Sequence, residues 1–189
     1  MIYSFCFYPN ALYDNIYYHK TDSKRKEENM FLYLFWTFFS LLIIAAIYLG
    51  WKIAKTDMRR RIIPDAFLFP LLIIGAILVT FFPWWPISQS AAVIGMAFGY
   101  LMSATIGLIF DKYLQRHNPK SEPPIGMGDI KLIAVGGLWC GPTGLAIALI
   151  LACTFGAIWA FRKKEKFIPF APFFIIGTFL AFITIAFLI

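Results

Sequence analysis

The chain has 189 residues, of which 60% are hydrophobic and 14% charged, with a net charge of +7. A soluble domain carries about 25% charged residues, so this composition excludes an ordinary soluble enzyme and points to lipid as the solvent. The length leaves room for one helical membrane domain and no separate soluble one.

The first 29 residues stand apart, mixing aromatic and charged side chains with no apolar run long enough for a signal-peptide core. They read as a polar and aromatic tail outside the membrane domain. Lys20, Lys24, Arg25 and Lys26 are matched by Asp14, Asp22, Glu27 and Glu28, so none of the net charge lies here. The abrupt change at Met30 suggests that translation naturally starts there and that residues 1–29 are not native. The membrane domain is then 30–189.

From Met30 to Trp51 there is no charge, a run long enough to cross a hydrocarbon core of about 30 Å as a helix. A basic stretch follows, then a second apolar run from Ala66 to Phe82. PWWPIS at 83–88, with two prolines and paired tryptophans, has the chemistry of an interfacial turn. Ser88 to Phe110 predicts a third helix, on which Gly95, Ala97 and Gly99 mark a face open to close backbone approach. Ile130 to Cys140 is short and ends at GPTG, which predicts a turn. Leu145–Phe161 and Ile168–Ile189 complete the expectation, an all-α integral membrane bundle of six transmembrane helices. Prolines 169 and 172 suit the first turn of the last helix.

The 13 basic residues after Met30 form three clusters: Lys52 to Arg61, Lys112 to Lys131, and Arg162 to Lys166. The uncharged turns at 83–88 and 140–144 alternate with them. By the positive-inside rule the clusters face the cytoplasm, and they also suit anionic lipid headgroups. No nucleic-acid motif accompanies them.

Six crossings would place Asp57, after the first helix, and Asp129, at the start of the fourth, on one membrane face. A helix N-terminus favours a carboxylate, whereas a second carboxylate nearby favours sharing one proton. Such a pair can activate a water and polarise a carbonyl with neither metal nor covalent intermediate. Gly126 and Gly128 in GMGD would admit positive φ and let an extended substrate backbone approach. The plainer alternative is a loop-to-helix junction in which the glycines turn and Asp129 caps.

Other polar residues have simpler readings. Asp65 follows Pro64 and reads as a helix N-cap, and Asp111 as an interfacial partner of Lys112. Glu122 and Glu165 read as solvated, and Lys131 is open between the site and a headgroup. Cys6, Cys140 and Cys153 form no C-x-x-C pair, and Cys140 and Cys153 read as small buried hydrophobes. His19 and His117 are isolated, so no metal and no cofactor is expected.

DMRRRIIPDAF from Asp57, GMGDIKLIAVGGLWCG from Gly126 and IPFAPFFIIG from Ile168, with the helix spacing that joins them, resemble the type IV prepilin peptidases, which are membrane aspartic proteases related to archaeal preflagellin peptidases. In that family one catalytic aspartate lies seven residues before the proline of an I-P-D type element, which falls on Asp57. The other is the aspartate of G-x-G-D, which falls on Asp129. The resemblance implies an endopeptidase of the cytoplasmic (inner) membrane. It would remove a short basic leader from prepilin, pseudopilin or preflagellin-like precursors at the cytoplasmic face, with the 112–125 loop as a movable cover. The paired C-x-x-C motifs that accompany methyl transfer in longer members are absent, so N-methyltransferase activity is not expected. Presenilin-like proteases share G-x-G-D but have Tyr before the first aspartate, where this chain has Thr56. Two other classes remain open: an ion-coupled transporter, with membrane carboxylates as the relay, and a non-catalytic pilin assembly factor.

Overall fold

The structure is a computed structural model that describes the backbone of residues 10–117, 125–163 and 168–188, and the side chains of 29–116, 125–163 and 168–187. Its helices are α1 (Asn10–Arg60), α2 (Asp65–Phe81), α3 (Gln89–His117), α4 (Met127–Lys163) and α5 (Phe170–Leu188). The chain divides into two compact units, Met1–Ile43 and Ile44–Ile189. The described part of the first is wholly helical, with exposed Phe31, Tyr33 and Leu41. All the site residues below belong to the second.

Among the described residues, four helical stretches are long and apolar enough to cross a bilayer: Asn29–Arg60, Gln89–Arg116, Met127–Lys163 and Phe170–Phe187. The protein is therefore an all-α integral membrane protein, but the expectation of six transmembrane helices does not hold. The 17 residues of α2 extend only about 25 Å, short of a hydrocarbon core of about 30 Å. The segments expected at 130–140 and 145–161 are the two halves of α4, which is broken between them at Gly141 (φ 65, ψ −178). That backbone is open to glycine and closed to residues with a Cβ. The break is sharp. Ile133 before it and Leu145 after it both lie against Gly99 of α3, although a straight helix would hold them about 18 Å apart.

Helix ends also differ from the apolar boundaries. The first helix does not stop at Trp51 but runs to Arg60, so Asp57 lies on it rather than after it. Lys52 stacks over Tyr48 and Lys55 over Trp51, at 5.4 and 4.5 Å from the ring centroids. Arg59 and Arg60 in the last turn complement the negative end of the helix dipole. α3 continues to His117, so the first part of the expected 112–125 loop is helical. Residues 118–124, with Pro119, Glu122, Pro123 and Pro124, lie outside the described residues, as do Glu165 and the side chains of His19 and His117.

Packing follows small residues, as it must where lipid offers apolar side chains no less than the bundle does. Gly95 of α3 and Gly137 of α4 meet backbone to backbone, leaving no room for a Cβ on either. Ala97 is not part of that contact and lines a groove on another side of α3. One apolar cluster, with Ile53, Ile63, Leu132, Ala171 and Phe174, lies beneath the aspartates. A second, with Val79, Ile87, Cys140 and Ile185, lies beneath the PWWPIS turn. Trp85 closes that end against Trp139 and Phe182, at 5.8 and 4.8 Å between ring centroids. Cys140 is buried, with its thiol 3.4 Å from the Thr178 carbonyl oxygen. Cys153 is exposed, contrary to the sequence reading, since many apolar side chains of this chain lie on its outer surface.

Candidate active site

Asp57 is 5% exposed, the one acidic side chain in the described core. A buried carboxylate needs hydrogen-bond donors, and Asp57 Oδ2 accepts the backbone N–H of Ala171 at 2.9 Å. The donor comes from the first turn of α5, where amides lack intrahelical partners and the dipole is positive. Pro169 and Pro172 flank this turn without N–H groups of their own. The Arg61 guanidinium lies within electrostatic range of Asp57. Arg61 itself takes left-handed geometry (φ 53) and donates its backbone N–H to the Asp57 carbonyl at 2.9 Å, turning the chain off α1.

Asp129 is half-buried in the first turn of α4. Its backbone N–H bonds to the Gly126 carbonyl at 3.0 Å, and its carboxylate accepts the Gly126 amide, the half of a helix capping box that a glycine in the N-cap position allows. The capping alternative is thus realised, and the same carboxylate still faces Asp57 within electrostatic reach. Three helix ends converge here: the C-terminal end of α1 and the N-terminal ends of α4 and α5. Their packing puts the two carboxylates within electrostatic range of each other, independently of the number of membrane crossings.

Neither Gly126 nor Gly128 adopts positive φ. Gly128 is required for a different reason, since a Cβ there would stand 2.8 Å from Ile63 Cβ. Gly126 leaves the Asp129 carboxylate open on that side, for a Cβ would lie 3.2 Å from Oδ2. Asp65 is not an N-cap. Pro64 holds that position without a side-chain cap, and Asp65 instead pairs with Lys131 at 2.6 Å. Asp111 accepts a 2.9 Å bond from Gln115 on its own helix rather than pairing with Lys112. The Ala171 amide is the functional group that sequence reasoning missed. The prolines at 169 and 172 signal a helix start there, but a backbone donor has no residue signature.

Two carboxylates within electrostatic range, Asp57 buried on the Ala171 amide and Asp129 half-buried on the Gly126 amide, can divide the acid and base roles of a hydrolysis between them. Among the described residues no group of three or more His, Cys, Asp or Glu forms a metal-binding cluster.

The sequence pattern of the type IV leader peptidase family matches residues 36–161, which include both aspartates. The chain is similar to proteins named prepilin leader peptidase/N-methyltransferase. The one from Xanthomonas campestris pv. campestris is 26% identical over 78% of this chain and 50% of its own length. That from Aeromonas salmonicida is 29% identical over 73% and 48%, and that from Burkholderia pseudomallei 34% over 64% and 39%. The chain spans about half the length of these relatives or less. No solved structure matches it.

Proposed function

The chain belongs to the type IV leader peptidase family, and on that premise we propose that it is an aspartic endopeptidase with Asp57 and Asp129 as its catalytic pair. Its substrates are type IV prepilin-like or pseudopilin precursors, from which it removes a short basic leader at the cytoplasmic face of the inner membrane. The observation that supports this reading best is the convergence of three helix ends that holds the two carboxylates within electrostatic range, with Asp57 buried against the start of α5.

In this mechanism the pair holds one proton. The unprotonated carboxylate takes a proton from a water as its oxygen attacks the scissile carbonyl, and the protonated one donates to the carbonyl oxygen. Collapse of the tetrahedral intermediate expels the amine, which takes the proton won from water, while the other carboxylate takes back a proton from an intermediate hydroxyl and restores the one-proton pair. The Ala171 amide holds Asp57 in place through this cycle, a fixed dipole that needs no reorganisation as charge shifts. The basic clusters orient the site toward the cytoplasm by the positive-inside rule.

The test is cleavage of a leader-bearing precursor by purified protein in lipid nanodiscs, comparing wild type with Asp57→Asn and Asp129→Asn. Loss of product in both variants, with thermal stability retained, is the expected result. Cleavage surviving both substitutions overturns the mechanism. A folded wild type that binds the precursor but leaves it intact would make the protein an assembly factor instead.

A further inference from the structure

Asp65 and Lys131 form an ion pair across 66 residues of sequence, with Lys131 Nζ 2.6 Å from Asp65 Oδ2. Asp65 opens α2, yet its carboxylate makes no helix cap and reaches across to α4. One residue beyond Pro64 on the other side, Ile63 packs against Gly128 so closely that a Cβ on the glycine would stand 2.8 Å from Ile63 Cβ. Both contacts join the same two segments. One is the linker 61–65, which leaves α1 directly after the turn bearing Asp57. The other is the start of α4, which bears Asp129.

The linker is short and stiff. Arg61 is in the left-handed region, its amide tied back to the Asp57 carbonyl, and Pro64 has φ fixed at −72. A displacement of Asp65 is therefore transmitted to the end of α1 with little slack. Lys131 lies half a turn beyond Asp129 on the same helix, and a displacement there moves Asp129 likewise. The side chains of the pair are 40% and 48% exposed, a setting in which an ion pair adds little to global stability. Its consequence is geometric.

We propose that the Asp65–Lys131 pair, with the Ile63–Gly128 contact beside it, is a clasp that fixes the separation of Asp57 and Asp129. Asp65 and Lys131 are then positioning residues of the peptidase reaction, an inference that rests on the function proposed above. Carboxylates that must share one proton and one water tolerate little change in spacing, and a misplacement of about 1 Å can cost on the order of a hundredfold in rate.

The test uses the full chain in nanodiscs with Cys6→Ser and Cys153→Ser, and spin labels on Met58→Cys and Met127→Cys, two exposed positions beside the aspartates. Pulsed electron paramagnetic resonance should give a narrow label separation in this parent, displaced or broadened by Asp65→Ala or Lys131→Ala and kept by Lys131→Arg. In the unlabelled chain, either alanine variant should lower kcat by about tenfold with KM within about twofold. The double variant should be no worse than either single one, because the two residues act as a unit. An unchanged separation in the alanine variants overturns the clasp. So does a rise in KM with kcat intact, which would make the pair a substrate contact, or losses that simply add. An unlabelled wild-type chain that does not cleave a leader-bearing precursor refutes the peptidase reading, and the label separations still decide the clasp.

Discussion

The amide of Ala171 donates to the carboxylate of Asp57 across 114 positions of sequence, at 2.9 Å and out of solvent. This bond makes Asp57 a structural residue as well as a proposed catalytic one, and the two roles separate experimentally. Asp57→Asn keeps an oxygen that can accept the amide, whereas Asp57→Ala leaves a buried N–H unpaired. Both variants should be inactive, with the alanine variant less stable than the asparagine variant by about 1–3 kcal/mol in thermal unfolding in detergent. Equal stabilities would mean that the amide finds another acceptor.

Gly128→Ala should lower cleavage by about ten- to a hundredfold, because the added methyl drives Ile63, and with it the Asp57 linker, away from α4. The clash is with the Cβ of Ile63 itself. Ile63→Ala should therefore give no rescue in the Gly128→Ala background, and Ile63→Gly should restore part of the rate. Initial rates on a leader-bearing precursor decide between them.

Two glycines offer a contrast in stability. At Gly95 a Cβ would overlap the backbone of Gly137 and Gly141, which no side-chain rotation relieves. Gly95→Ala should destabilise by about 1–3 kcal/mol or prevent folding. At Gly50 the nearest atom to a new Cβ is Ile175 Cγ2 at 3.6 Å, an ordinary contact. Gly50→Ala should be neutral or stabilising by up to about 1 kcal/mol, since alanine is the better helix former. Unfolding midpoints and size-exclusion profiles in detergent measure both.

Trp139 joins α2 to α4 through an indole N–H that donates to the Leu71 carbonyl at 3.2 Å, and it packs against Trp85. Trp139→Phe keeps most of the ring and loses the donor. A loss of about 0.6 kcal/mol is expected, typical of a hydrogen bond between membrane helices, with the cleavage rate retained because the aspartates lie at the other end of the bundle. A large loss of rate would mean that α2 transmits this contact to Asp65.

Much of the candidate site was legible in the sequence because the chemistry proposed for it is carried by side chains. Asp57 and Asp129 are acidic groups in a chain that has little other use for them near apolar segments, and GMGD marks a helix start. The fold was less legible where hydropathy and backbone diverge. Lys52 and Lys55 end an apolar run but continue the helix, since their stems and charges settle on Tyr48 and Trp51. GPTG reads as a turn, and Gly141 does break α4 there, but the 17-residue α2 is too short to span and the described residues hold four apolar stretches of crossing length, so the count of six falls. Asp65 after a proline has the pattern of a cap, and its true partner is set by the packing of α2 on α4. The same limit hid Ala171, whose contribution is a main-chain hydrogen.

The long reach of that hydrogen also orders biosynthesis. A ribosome that has released Asp57 and Asp129 has not yet made the group that satisfies the first of them. Until α5 is inserted, the Asp57 carboxylate must stay hydrated or protonated at the bilayer edge, so the site can close only after synthesis of the last described helix has begun. A nascent chain halted before residue 168 should leave Asp57 open to water-soluble carboxyl reagents, and the complete protein should shield it.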